Sequence, residues 1–271
     1  MPTLYVVATP IGNLEDISLR ALRLLGEVKL IAAEDTRKTK RLLSAYDIKT
    51  PMTSYYEHNK LAKLDYILDF LEKEDVAIVS DAGTPGVSDP GYELILEASR
   101  RDIPVVPVPG ASAVTAAVTA SGLPTDRFLY LGFLPRKAGG RKKLLDTVSG
   151  EPGTIVVLEA PHRLAATLKS MLDTLGDRRI AVCRELTKIH EEIFRGSISQ
   201  AMEYFTEPRG EFTLIIEGNT GQERNTLTED MEKRMHEMRR SGITAREAIA
   251  KVAAETGLSR KELYRTWLKE D

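Results

Sequence analysis

Four short apolar runs, each closed by a turn of small, proline or acidic residues, constrain this chain more than any other feature. Residues 4–8 lead into Thr9-Pro10-Ile11-Gly12-Asn13, and residues 28–33 into Glu34-Asp35-Thr36-Arg37. Residues 76–80 lead into Asp81-Ala82-Gly83-Thr84-Pro85-Gly86, and residues 105–108 into Pro109-Gly110. Helical stretches separate them, as in residues 61–72, where Leu61, Leu64, Ile67, Leu68 and Leu71 recur at helical spacing. Strands alternating with helices predict a mostly parallel sheet. In such a sheet all four turns fall on one edge, where ligands bind beyond the carboxyl ends of the strands. Neither the Gly-x-Gly-x-x-Gly fingerprint nor a P-loop is present in these turns.

The breakers Ser121-Gly122-Leu123-Pro124 predict a hinge. A second α/β segment follows, with strands over 128–133, 154–158, 180–184 and 212–217 and helices over 164–175 and 198–205. Tyr130 and Phe133 read as strand core. Beyond Gly221 the chain turns helical and charged. Thr244 with Glu247 has capping-box spacing ahead of an apolar face of Ala245, Ala248, Ile249, Val252 and Ala253. Gly257 breaks that helix, Ser259 with Glu262 starts another, and Leu263, Trp267 and Leu268 can pack back. The layout suits either a helix-turn-helix or a plain helical hairpin. The expected fold is therefore two α/β domains, 1–120 and 121–222, with a small helical extension over 223–271.

A net charge of −2 over 271 residues argues against a surface coated in basic residues. One local run is basic: Arg136, Lys137, Arg141, Lys142 and Lys143 lie within residues 135–143 with no acidic residue and a Gly pair between them. It reads as a mobile loop, either solvated surface or a set of phosphate contacts. The lone Cys183 cannot form an internal bridge. With no signal core at the start and no apolar run of bilayer length, a cytoplasmic location is expected and no membrane contact. The four histidines and Cys183 lack zinc-ligand spacing, so no metal site is expected, although loosely held Mg²⁺ would leave no motif.

The turns named above occur in order with Asp89-Pro90-Gly91, Val108-Pro109-Gly110-Ala111-Ser112, Gly132-Phe133-Leu134-Pro135 and Arg184-Glu185-Leu186-Thr187-Lys188. This ordered set resembles the bacterial ribosomal RNA small subunit methyltransferase I family, within the tetrapyrrole methylase superfamily. The resemblance spans nearly the whole chain. It implies a tetrapyrrole-methylase-type pair of α/β domains with S-adenosylmethionine (AdoMet) bound between them. It further implies methyl transfer to the 2′-oxygen of a cytidine in small-subunit (16S) ribosomal RNA, by a homodimer. By position it implies a cofactor role for Pro10 and for Asp81, Ala82, Gly83 and Thr84, which stand where the superfamily carries a Gly-Gly-Asp-Pro-like loop. It implies the same for Ser112 and Ala113, and for Leu158, Glu159, Ala160, Thr213 and Leu214 in the second domain.

The 2′-hydroxyl must lose a proton, which asks for a base. Asp35 is the first candidate, with Glu34 and His58 next and Asp81 and Glu185 behind them; Asp35 also suits a helix N-cap. Arg37, Arg163 and the five basic residues of 135–143 are the candidate RNA contacts. Two rival readings remain open: a methylase of a tetrapyrrole precursor, whose carboxylates the basic run would bind, and a non-enzymatic RNA- or nucleotide-binding module.

Overall fold

The structure, a computed structural model, describes residues 1–219, 229–256, 263, 264, 266 and 267. It divides into two compact units, residues 1–149 with 153–217, and residues 150–152 with 218–271.

The larger unit holds two sheets. The first is built from β1 (Leu4–Val7), β2 (Leu30–Ala33), β3 (Met52–Ser54), β4 (Val76–Val79) and β5 (Val105–Val108), in the order β3-β2-β4-β1-β5. Every pairing is parallel. Both faces are covered, which is why its central strands read as continuous apolar runs. On one face Leu4, Val6, Leu30, Val76 and Ile78 meet Ile67, Leu68 and Leu71 of α3 (Lys60–Leu71) and Leu94 of α4 (Tyr92–Arg100). On the other, Val7, Ile31, Ala77 and Val79 meet Leu24 and Leu25 of α1 (Leu19–Glu27) and Leu43 of α2 (Thr36–Ala45).

The second sheet comprises β6 (Phe128–Phe133), β7 (Thr154–Glu159), β8 (Arg179–Arg184), β9 (Glu192–Ser197) and β10 (Phe212–Ile216), in the order β6-β7-β10-β8-β9. Only β6 and β7 are parallel; the remaining pairings are antiparallel. One face packs on α6 (Ala138–Thr147), α7 (Leu164–Leu175) and α8 (Ile198–Tyr204), through Leu145, Leu168, Met171 and Ile198. The opposite face receives α5 (Ala113–Ser121), whose Ala117 and Val118 lie on Val156, Ala181, Cys183 and Ile215. The small residues of α5 permit this close seating. Gly122 ends the helix in the left-handed conformation, and Arg195 of β9 donates to the carbonyls of Ala120 and Ser121.

Two further contacts join the lobes. The Ser88 hydroxyl, in the segment after β4, lies 2.7 Å from the Tyr130 hydroxyl of β6. Gly132 sits at a bulge of β6 with φ +63°, and a Cβ there would come within 2.9 Å of Ser88 Oγ. In the turn after β1, a Cβ on Gly12 would lie 2.4 Å from Lys188 Cγ and 2.9 Å from the Leu186 carbonyl oxygen. Only glycine allows the backbone so close at these two points.

Three elements depart from the sequence reading. The basic run is not a mobile loop, since residues 138–147 form α6 despite Gly139 and Gly140. Its later residues Leu144 and Leu145 pack into the second sheet's core and fix the helix there. β3 has three residues, too few to show a period of two. β9 alternates weakly because it is an edge strand, paired with β8 alone.

In the smaller unit, α9 (Glu229–Arg240) and α10 (Ala245–Thr256) bury Met235, Met238, Ala248, Ile249, Val252 and Leu263 together. The expected capping box forms, with the Glu247 amide donating to Thr244 Oγ1 at 3.4 Å and the Thr244 amide to Glu247 Oε2 at 3.3 Å. The break at Gly257, the Ser259–Glu262 cap and Leu268, on which a helix-turn-helix depends, lie outside the described residues.

Replacing Gly132 with alanine should strain the left-handed backbone and push against Ser88. A loss of about 1 kcal/mol or more in urea unfolding is expected; an unchanged midpoint would show that the lobes tolerate separation there.

Candidate functional site

A cavity of about 690 Å³ lies between the carboxyl edge of the first sheet and the α5-bearing face of the second. That volume falls within the range of sites for drug-sized ligands. Its near wall is the turn after β4, and the sequence dictates how that turn is held. Thr9 and Gly83 exchange two backbone hydrogen bonds of 2.9 and 3.0 Å, while the Thr9 hydroxyl donates to the Ser80 carbonyl at 3.1 Å. Two strand-end turns are thereby clamped to each other, and Ala82, Gly83 and Thr84 face the cavity.

The first turn of α5 supplies a second wall through Ser112, Ala113, Val114 and Thr115. The Ser112 side chain does not cap the helix, and among the described residues the amides of Ala113, Val114 and Thr115 have no acceptor. Open amides at a helix start carry partial positive charge and bind anions. The second sheet adds Phe128, Tyr130 and Phe133 from β6, Leu158, Glu159 and Ala160 at the end of β7, and Phe212 and Thr213 from β10. This wall is largely apolar and suits a flat ring.

Most residues expected at the cofactor site therefore line one cavity: Ala82, Gly83, Thr84, Ser112, Ala113, Leu158, Glu159, Ala160 and Thr213. Three do not. Leu214 is fully buried in the core on the opposite face of the sheet, because neighbouring strand residues point to opposite sides. Pro10 leaves its place on the wall to Ile11, and Asp81 turns away. The Asp81 carboxylate accepts from the Asp35 amide at 3.0 Å and from Lys38 Nζ at 2.7 Å, while the Asp81 amide donates to Glu34 at 3.0 Å.

The expected bases are likewise outside the cavity lining. Asp35 caps α2, accepting from the Arg37 amide at 2.9 Å and pairing with its guanidinium at 3.2 Å. The Arg37 hydrogen bonds hold the Asp35 carboxyl below its usual acidity range, which weakens it as a base. Glu34 is shifted upward by burial, but it serves as acceptor for Asp81. His58 is exposed beside the edge of the Tyr56 ring.

An unpaired carboxylate lines the cavity at Asp89, from a motif to which the sequence reading assigned no role. It has no hydrogen bond or ion pair among the described residues. Burial, followed by the nearby charges of Glu34 and Asp81, pushes it up to about 7. Tyr130 and Phe133, read as strand core, are wall residues instead, and Phe133 is exposed. The other acids of the cavity are committed. Glu159 accepts from the Ala160 amide at 2.8 Å and the Thr167 hydroxyl at 2.5 Å. Glu211 pairs with Lys188 at 2.9 Å.

Two of the expected RNA contacts are also corrected. Arg141 is buried, donating to Ser170 Oγ at 2.9 Å, because it lies on the face of α6 that packs on α7. Arg163 pairs with Glu159 at 3.2 Å and donates to the Leu134 carbonyl, so its guanidinium is held at the foot of the cavity wall. Arg136, Lys137, Lys142 and Lys143 are exposed without an ion-pair partner among the described residues, immediately after the wall strand β6. Arg37 is exposed, tied to Asp35. No group of metal-binding side chains occurs among the described residues.

Comparison with known proteins agrees with this architecture. The family model of Tetrapyrrole (Corrin/Porphyrin) Methylases matches residues 3–202. Among solved structures, uroporphyrin-III C-methyltransferase from Thermus thermophilus, complexed with S-adenyl homocysteine, shares the fold. Its TM-score is 0.59 at 23% identity, over 79% of this chain and 97% of that one. Two bacterial relatives are more similar in sequence, and both are ribosomal RNA small subunit methyltransferase I. That of Synechocystis sp. is 46% identical over 99% of this chain and 98% of its own. That of Halalkalibacterium halodurans is 44% identical over 99% and 95%. The chain belongs to the ribosomal RNA small subunit methyltransferase I family of the tetrapyrrole methylases.

The high proton affinity of Asp89 has a consequence for stability. Between about pH 4 and 7 the folded protein holds a proton that the unfolded chain has released, so stability falls as pH rises through that window. Asp89→Asn should therefore melt a few degrees higher than the parent at about pH 8 and match it near pH 4. Equal melting temperatures at the higher pH would show that Asp89 is ordinarily acidic.

Proposed function

We propose that this protein transfers the methyl group of AdoMet to the ribose 2′-oxygen of a cytidine in small-subunit (16S) ribosomal RNA. That it is an AdoMet-dependent methyltransferase acting on ribosomal RNA accords with its family. The ribose oxygen and the cytidine are the finer part of the reading. The observation that carries the choice of RNA is a set of four exposed cations, Arg136, Lys137, Lys142 and Lys143, in the segment that follows the exposed cavity-wall residue Phe133. Cations track a phosphate backbone and an exposed aromatic ring can stack a base.

The cavity's donor set suits AdoMet, with open α5 amides for a carboxylate at one end and an apolar wall for a flat ring at the other. AdoMet would supply an electrophilic methyl group carried on a sulfonium. The chain's own work is then to orient and to exclude water. The amides of Ala113, Val114 and Thr115 would hold the amino-acid carboxylate, and Leu158, Ala160 and Thr213 would cover the adenine. The clamped turn Ala82-Gly83-Thr84 would close the floor. Holding donor and acceptor in line is worth effective molarities of about 10⁵ M or more in well-oriented reactions. The proposal includes a cytoplasmic homodimer, supported by the family resemblance. Among the described residues no helix is long and apolar enough to cross a membrane.

A labelled-methyl assay offering small ribosomal subunits, free ribosomal RNA and a tetrapyrrole side by side tests the substrate class. Label is expected in RNA; label in the tetrapyrrole alone would overturn the reading. Changing Arg136, Lys137, Lys142 and Lys143 to glutamine should weaken RNA binding and flatten its salt dependence by roughly one unit of slope for each phosphate no longer neutralised. Arg141→Gln should destabilise α6 and leave the slope alone. An unchanged slope in the fourfold variant would return α6 to plain surface.

A further inference from the structure

We infer that Ile189, at the tip of the loop joining β8 to β9, is an apolar contact for a nucleoside of the substrate RNA beside the methylation site. The inference rests on the reading of the substrate as ribosomal RNA and holds whichever atom of the nucleotide is methylated.

Residues 185–191 form a short loop whose shape costs free energy. Glu185 and Thr187 both adopt left-handed backbone, with φ +50° and +66°. That conformation is uncommon without glycine and a genuine outlier for a β-branched residue such as Thr187. Thr187 Oγ1 is also buried without a hydrogen-bond partner among the described residues. The loop is nonetheless pinned at several points. The Thr187 amide donates to Glu191 Oε2 at 2.6 Å, and the Lys188 amide to the Glu185 carbonyl at 3.0 Å. Lys188 Nζ reaches Glu185 Oε1 and Glu211 Oε2, each at 2.9 Å. From the other lobe, Gly12 lies so close to Thr187 and Lys188 that a side chain there would collide with both.

The bracing holds a large apolar side chain out in water. Ile189 is 97% exposed, more than any other large hydrophobic side chain among the described residues. A lone exposed apolar residue on a relaxed surface needs no explanation. Strained backbone that its surroundings hold in place is different, because such strain collects where ligands are contacted.

Position and charge name the partner. Leu186, three residues before Ile189, lines the cavity, and so does Glu211, the ion-pair partner of Lys188. Ile11, next to Gly12, lines it from the first lobe. The tip therefore stands beside the cavity, outside its lining, where the RNA must approach. Phosphate is not what the tip suits: the charge of Lys188 is spent on two carboxylates, and the exposed Glu191 is acidic. An isoleucine gains by burying its surface against the face of a base or the body of a ribose, as apolar side chains do at unstacked nucleotides.

The test titrates the full-length parent, Ile189→Ala, Ile189→Leu and His190→Ala, each saturated with S-adenosylhomocysteine, with labelled small-subunit RNA and with assembled small subunits across a range of salt concentrations. Melting temperature and sedimentation accompany it. Ile189→Ala should bind RNA about tenfold more weakly at every salt concentration, because an apolar contact releases no counterions. Its salt slope, melting temperature and sedimentation should match the parent's, and Ile189→Leu should recover most of the affinity. An Ile189→Ala variant that binds RNA as tightly as the parent overturns the inference, and so does His190→Ala carrying the loss instead. A loss that comes with altered sedimentation assigns Ile189 to contact between copies of this chain, which overturns it as well. A parent that binds a tetrapyrrole and no RNA overturns the substrate reading, and this inference with it.

Discussion

The seating of α5 is the constraint on which the rest of this structure depends. In sequence the helix follows the last strand of the first sheet, yet its Ala117 and Val118 bury against Val156, Ala181, Cys183 and Ile215 of the second. One short helix thus belongs to one lobe by connectivity and to the other by packing. Its first turn comes to lie between the two sheets with its amides open, and the cavity forms around that turn. Larger side chains on α5 would hold the helix off the sheet, which is why the run consists of Ala, Val, Thr and Ser.

The site divides its labour along the same lines. The first lobe contributes backbone: strand-end turns clamped through Thr9 and Gly83, and the segment carrying Ser88 and Asp89. The second lobe contributes surface, the apolar wall of β6, β7 and β10 with exposed Phe133 and the cations of α6. The acidic cluster behind the first lobe's turns is built so that most of its members satisfy one another. Glu34 receives the Asp81 amide, Asp81 receives the Asp35 amide and Lys38, and Asp35 caps α2. Asp89 is left outside that network, facing the cavity.

How much of this was legible in the sequence follows from which residues act through pattern and which through geometry. The first sheet was readable because β1, β2 and β4 are buried on both faces and so appear as unbroken apolar runs. Its carboxyl-edge turns were readable from Pro, Gly and acidic residues. α6 was missed because its first turn carries Gly139 and Gly140 and its apolar anchors come late; the edge strand β9 and three-residue β3 had too little pattern. Thr213 and Leu214 show the limit at the site. Both sit on β10, and only the strand's register decides that one faces the cavity and the other the core. Asp35 and Asp89 show it again, because nothing in the local sequence says which carboxylate turns toward the cleft.

The central claim is that the open amides of α5 and the wall opposite form one binding site for AdoMet. Residue-resolved hydrogen exchange, with and without S-adenosylhomocysteine, tests it most directly. Ala113, Val114 and Thr115 should exchange freely in the ligand-free protein and become strongly protected when the ligand is added, together with the Ala82–Thr84 turn. Saturating ligand that leaves those three amides exchanging as before would contradict the account.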